Sequence, residues 1–244
     1  MRFTLLMLLS FAAFFSNAQP PDSLNTAKRC AYMTKEEQDM ISEINLVRCN
    51  PQGYMQFITP MLVDAKKELA TNGKGGRNYS ISTSTSTING QTKKKIDTIW
   101  HFINDENVKA LTSLINDLKK LKKLSVLKPD SGIYLAAKKH AADQHVHDWT
   151  LSHQGSDGSW PWDRILKFSP LMSAGNENIA MMSGTPSVRD IVILLLVDAG
   201  IPGYGHRHNM LDPNWTHTAC TAENYKGKYY WWLQEFGSKD VKQR

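Results

Sequence analysis

An α+β fold is predicted for this 244-residue chain. Three observations predict it: a capped helix with an apolar stripe near the start, two more helical patterns between residues 105 and 145, and a C-terminal pair of Trp- and Tyr-rich strands. With 41% hydrophobic, 9% aromatic and 21% charged residues, the chain has material for a real core and is not disordered as a whole. Three cysteines exclude a disulfide-scaffold mini-protein, which would need many more.

The first element is a leader. Arg2 supplies a positive charge, residues 3–15 (FTLLMLLSFAAFF) form a short apolar run, and Ser16-Asn17-Ala18 places small residues at a cleavage site, so a mature chain beginning at Gln19 is expected. The run is well short of the ~20 residues a membrane span needs. A mobile arm rich in Pro, Asp and Asn follows over 19–33. In an exported protein Cys30 and Cys49 could close a 20-residue loop, worth about 3 kcal/mol in the chain-entropy model. Three free thiols fit the odd count equally well.

Thr34 and Glu37 form a T-x-x-E capping box before a helix whose stripe is Met40, Ile41, Ile44, Val47 and Cys49. Pro51 opens a short second helix carrying Tyr54, Phe57 and Ile58, with Pro60 as its interruption. Residues 71–92 turn Gly-, Ser- and Thr-rich and read as a flexible loop or an exposed strand. Apolar positions 111, 114, 115, 118 and 121 mark an amphipathic helix from Asp105 to Leu124, with lysines on its solvated face. Asp130 or Ser131 caps the next helix, which runs to His145. Residues 149–167 read as loop, Ile191 to Asp198 as a buried helix or strand, and 201–205 as a turn. Segments 215–220 and 228–236 pair as a hairpin.

Six of the eight histidines fall between 140 and 208. No H-E-x-x-H, C-x-x-C or Ca²⁺-loop signature accompanies them, and no G-x-S-x-G elbow, P-loop or dinucleotide fingerprint is present, so any site is assembled from separated segments. His140 and His145 read as solvent-facing helix residues, and His147 and His217 as turn or strand-end residues. Trp160, Trp162, Trp215, Trp231 and Trp232 read mainly as packing aromatics.

Three segments have the look of site edges: L151-S-H-Q-G155, G175-N-E-N-I-A180 and G205-H-R-H-N-M-L211. With the preceding L-A-A-K-K-H-A helix, the S-W-P-W-D-R-I segment, P-N-W-T-H and the Trp/Tyr hairpin, they resemble the CAP superfamily of cysteine-rich secretory, antigen-five and pathogenesis-related proteins, and its exported bacterial branch in particular. The resemblance is dense over 124–237 and includes the first helix. It implies a three-layer α-β-α sandwich around a central antiparallel sheet, a single domain over 34–237 with an inserted basic segment at about 66–123, and a tail over 238–244. It also implies a cleft tetrad, carried by position to His153, Glu177, Asp198 and His206. His153 and His206 would hold zinc or another divalent cation, and His208 and Arg207 are secondary candidates. Asp198 stands where a W-x-x-E context usually supplies Glu, and N-E-N-I replaces the usual G-E-N-I.

The expected function is an exported CAP-domain binding module, periplasmic or secreted and monomeric. A metal-assisted hydrolase with Glu177 as base and a lipid- or sterol-binding protein are the alternatives. The charge of +6 is unevenly placed. Residues 66–128 hold 13 Lys and Arg against 5 Asp and Glu, and removal of Arg2 with the leader leaves the rest of the mature chain at −3. Basicity belongs to the insertion, whose expected contact is an anionic envelope surface or lipid rather than nucleic acid.

Overall fold

The computed structural model describes residues 20–88, 91–147, 152–225 and 229–239. The expected leader, the turn at 226–228 and most of the tail lie outside the described residues. In chain order the elements are α1 (Lys35–Cys49), α2 (Pro51–Asn72), β1 (Arg77–Ile88), β2 (Gln91–Phe102), α3 (Ile103–Lys120), β3 (Lys128–Pro129), α4 (Ser131–Val146), α5 (Pro161–Phe168), β4 (Ala174–Ser183), α6 (Val188–Val197), α7 (Gly205–Leu211), β5 (His217–Tyr225) and β6 (Tyr229–Ser238). They divide into two compact units.

The first unit spans the chain up to Pro51, Lys122–Leu196 and His206 onward. Its sheet has the order β3-β5-β6-β4. β5, β6 and β4 are antiparallel neighbours, and β3 adds a two-residue parallel edge to β5. Side chains alternate across such strands. Glu177 and Ile179 of β4 therefore share a face with their register partners Glu235 and Leu233 of β6, and Ala141 of α4 packs there on Ile179, Trp231 and Leu233. On the other face Gln234 reaches Met40 of α1, and Asn178 reaches the His206 carbonyl of α7. Helices thus cover both faces of an antiparallel sheet, and the unit is an α-β-α sandwich.

Polar ties fix these layers. The capping box at Thr34 forms as its spelling requires, and the same Glu37 accepts from the Tyr134 hydroxyl on α4 and the Ala222 amide on β5. Buried Arg48 donates to the carbonyls of Ser125, Met210, Asp212 and Trp215. Burial there pushes its pKa down to about 10. Arg189 of α6 grips Glu43 of α1 with two nitrogens, at 2.7 and 3.1 Å. The arm expected to be mobile is packed: Asn45 donates to the Leu24 carbonyl, Thr26 donates to the Leu127 carbonyl, and Ala27 is fully buried. Cys30 and Cys49 are not joined. Both are free thiols, as is Cys220, and the Cys49 sulfur donates instead to the Leu124 carbonyl.

The second unit comprises Gln52–Leu121 and Val197–Gly205. α2 is continuous, so Pro60 does not end it. Proline frees the carbonyl four residues back; Gln56 and Pro60 are both exposed, so water can satisfy that group while Tyr54, Phe57 and Ile58 stay buried on the other side. The Ser/Thr-rich stretch is a strand, paired with β2 in an antiparallel ladder from Arg77↔Phe102 to Ile88↔Gln91. Asn104 secures its base by donating to the Gly73 carbonyl, and Gln52 joins α2 to the end of α3 through the Leu118 and Leu121 carbonyls.

Residues 149–167, expected to be loop, end in α5, which Trp160 and Asp163 cap and Pro161 opens. α5 lies close to α4: a Cβ on Gly132 would sit 2.3 Å from the Phe168 carbonyl oxygen. Backbone cannot yield cheaply, so Gly132→Ala is expected to cost about 1 to 3 kcal/mol in urea unfolding. An unchanged midpoint would show that α4 and α5 are free to separate.

Candidate functional site

Glu177 is the centre of the site. β4 and β6 bring it opposite Glu235 on the face covered by α4 and α5. Arg164 of α5 donates Nη2 to Glu177 Oε2 at 2.8 Å, with side-chain exposures of 1% and 0%. The other oxygen, Oε1, takes the His153 ring Nδ1 at 2.8 Å, and this imidazole is 45% exposed. His140 of α4 brings its Nε2 to 3.8 Å from the same oxygen, but its hydrogen bond goes to the Ser152 carbonyl at 2.8 Å.

Two buried carboxyl groups side by side do not both ionise, and the proton goes to the one with poorer partners. Burial alone would raise Glu177, but the hydrogen bond from His153 and the charge of Arg164 hold it below the ordinary Glu value. Glu235 is pushed well above that value, by burial first and then by the Glu177 charge. Of the two carboxyls, Glu235 is therefore the one that keeps its proton. Among the described residues neither Glu235 oxygen has a hydrogen-bond partner, so no hydrogen bond there favours its ionised form. Burial lowers His140, so this ring is neutral. The cluster therefore carries one buried cation, Arg164, against one buried anion, Glu177.

Of the sequence-predicted residues, the structure joins His153 to Glu177. His206 is tied to the neighbouring residue of β4, its carbonyl accepting from Asn178 at 3.0 Å, and Asn209 of α7 donates to the Glu177 carbonyl at 3.2 Å. Arg207 is buried and donates Nε to the Leu196 carbonyl at 2.6 Å, while His208 is exposed. Asp198 follows α6, buried, at φ 56°, in a segment of the second unit. The carboxyl beside Glu177 is Glu235, which lies outside the three segments with the look of site edges. Its signal was present twice: the W-x-x-E spacing occurs at Trp232-Leu233-Gln234-Glu235, and alternation places a charged residue on the buried face of β6. His140, expected to face solvent, is fully buried because α4 turns it toward the sheet. Arg164 lies in the S-W-P-W-D-R-I segment but was assigned no site role there, and its position on α5 brings it to Glu177.

The set fits one oriented imidazole and not a closed metal centre. Both Glu177 oxygens are engaged, and the described residues contain no group of three or more His, Cys, Asp or Glu that could hold a metal ion. Structural and catalytic zinc sites draw three or four ligands from protein. Full burial also keeps Glu177 from the solvent-facing position that a general base for water would occupy.

A helix-flanked antiparallel sheet with a histidine-carboxylate cluster at its edge defines the class of this protein. The sequence profile of the cysteine-rich secretory protein family, CAP, matches residues 112–236, half of the chain, and the chain belongs to that family. Among solved structures, an outer surface protein of Borrelia burgdorferi is 22% identical, covering 55% of this chain and 94% of its own, with a TM-score of 0.41. An extracellular protein containing an SCP domain from Bacillus anthracis is 14% identical, covering 72% of this chain and 71% of its own, with a TM-score of 0.38. No curated protein matches the chain.

An acid whose folded pKa is raised contributes fully below its unfolded value, near 4.5 for Glu235, and loses that contribution as pH rises toward the folded value. Glu235→Gln, neutral at every pH, is therefore expected to gain stability relative to wild type as pH rises from about 5 to 8, measured by urea unfolding. A constant difference across that range would mean that Glu235 is ionised in the fold. Glu177→Ala is expected to cost about 3 to 5 kcal/mol, because it strands the Arg164 charge.

Proposed function

We propose that this CAP-family protein is an exported binding module that meets its ligand through the His153 imidazole. The supporting observation is the contrast across one 2.8 Å hydrogen bond, from a ring 45% exposed to a carboxylate with no exposure. A withdrawn, clamped carboxylate holds the tautomer with Nδ1–H toward Glu177, which leaves the Nε2 lone pair for a partner. Such a partner is a hydrogen-bond donor or a divalent cation such as zinc, with His206 as a second imidazole and water completing the set. The leader sequence at 1–18 supports export, and no described helix is long and apolar enough to cross a membrane. Calorimetric titration with zinc at neutral pH tests the cation form: binding heat is expected for wild type and lost in His153→Ala. Equal heat in both proteins would remove His153 as the contact, and no heat from wild type would remove the cation.

A second surface is proposed for the insertion. The β1–β2 ladder places Lys93, Lys94 and Lys95 opposite Ser86, Thr85 and Ser84, a run of three positive residues with no carboxylate opposite it in register. This arrangement supports docking on an anionic envelope surface. Binding to vesicles containing phosphatidylglycerol is expected to weaken as salt rises from 0.05 to 0.5 M, because the Debye length falls from roughly 14 to 4 Å. Deletion of 66–123 without effect on that binding would refute the assignment.

A further inference from the structure

The loop over 152–160 is held from beneath. The Ser152 carbonyl accepts from His140, and the carbonyls of His153 and Ser159 both accept from Arg164 Nη1, at 3.1 and 2.9 Å. Across the loop the Gly155 amide donates to Ser159 and the Gly158 amide to Gly155, each at 2.9 Å, and the Ser156 amide donates to Asp143 at 2.8 Å. Both anchoring side chains, His140 and Arg164, are buried. The loop's shape is thus set by the core, which is the condition under which binding loses little ordering entropy.

On this frame stand two exposed rings. One is His153. The other is Trp160, 54% exposed although its backbone is pinned at both ends, the amide donating to Asp163 Oδ2 at 2.8 Å and the carbonyl accepting from the Arg164 amide at 3.2 Å. The carbonyls of His153 and of Ser159, the residue before Trp160, share one guanidinium nitrogen, so the backbone carrying the imidazole and the backbone leading into Trp160 are held close together. A large aromatic kept in water on a hydrogen-bonded backbone, in the same loop as an imidazole whose Nε2 has no hydrogen-bond partner among the described residues, is a feature that core packing does not account for.

We propose that this loop is a glycan subsite, in which the C–H face of a sugar ring stacks on Trp160 while a hydroxyl donates to His153 Nε2. The assignment rests on the reading of His153 given above and names its ligand class. The intervening residues select that class. From Gln154 to Ser159 the chain offers amide, hydroxyl and glycine positions and no aliphatic side chain, so an acyl chain would meet one aromatic ring and no apolar lining from this loop. Asp157 is paired with Lys139 at 2.5 Å, so the loop offers no uncompensated charge to an ionic ligand. What fits is a neutral ligand with one apolar face and many hydroxyls.

The test uses the exported chain and the linear N-acetylglucosamine tetramer as probe, followed by saturation-transfer NMR and titration. Saturation of the ring protons on one sugar face is expected for wild type. Affinity is expected to fall roughly tenfold or more in Trp160→Ala, as for an aromatic anchor, and to recover to within a few-fold in Trp160→Phe. Thermal melts of the three proteins confirm an unchanged fold, since Trp160 is exposed. No saturation transfer to the sugar, equal affinity in wild type and Trp160→Ala, or Trp160-dependent binding of laurate in place of the sugar would each overturn the subsite. Sugar binding lost in Trp160→Ala but unaffected by His153→Ala retains the stacking platform and removes His153 as its partner. Zinc heat that depends on His153, with no sugar bound, retains the earlier reading and overturns this one.

Discussion

The buried pair between Arg164 and Glu177 is the contact from which the site's geometry follows. Bringing both charges out of water is costly, and an apolar pair of equal volume would often serve stability as well. What the pair supplies is position. Arg164 has donors enough to bind Glu177 with Nη2 and two loop carbonyls with Nη1. Glu177 has a second oxygen to orient His153. One ion pair thereby fixes strand β4, helix α5, the 152–160 loop and the exposed imidazole relative to one another.

The protonation of Glu235 follows from the same pair. A second ionised carboxyl beside Glu177 would leave the cluster with an uncompensated buried negative charge, and Arg164 already has its anion. With the proton on Glu235 the cluster is neutral as a whole, and the Arg164 and Glu177 charges are paired. Burial keeps His140 neutral for a related reason: the positive position is filled, and its Nε2–H serves a backbone carbonyl instead. Each titratable group in the cluster has its state set by which neighbour reached Glu177 first in energetic terms.

Much of the fold was legible from local patterns. Thr34-x-x-Glu37 announced α1 because the two bonds of a capping box join residues three apart. Asp130 announced α4 because its carboxylate accepts from the Gly132 and Ile133 amides in the first turn. The Trp- and Tyr-rich alternation announced β5 and β6. Pro60 misled because the cost of a proline inside a helix depends on whether water reaches the freed carbonyl, which is a property of the helix's surroundings. Asn176 to Ile179 stood out as a site edge but not as a strand, since the edge strand β4, carrying Asn, Glu and Asn, departs from an apolar pattern in order to hold the polar cluster. Cys30 and Cys49 had a spacing that allows a link, but spacing says nothing of how the sulfurs are directed.

The sequence by itself determined the family, the capped helices α1 and α4, the C-terminal hairpin and two members of the site, His153 and Glu177, all of them recorded in contiguous motifs. Tertiary structure alone decided that Glu235 stands beside Glu177, that Arg164 clamps both the carboxylate and the loop, and that His140 lies inside. Register across a sheet and the direction in which a helix presents its residues are set by packing between segments far apart in the chain. Both protonation states and partnerships in the cluster depend on that packing, which no local stretch of residues encodes.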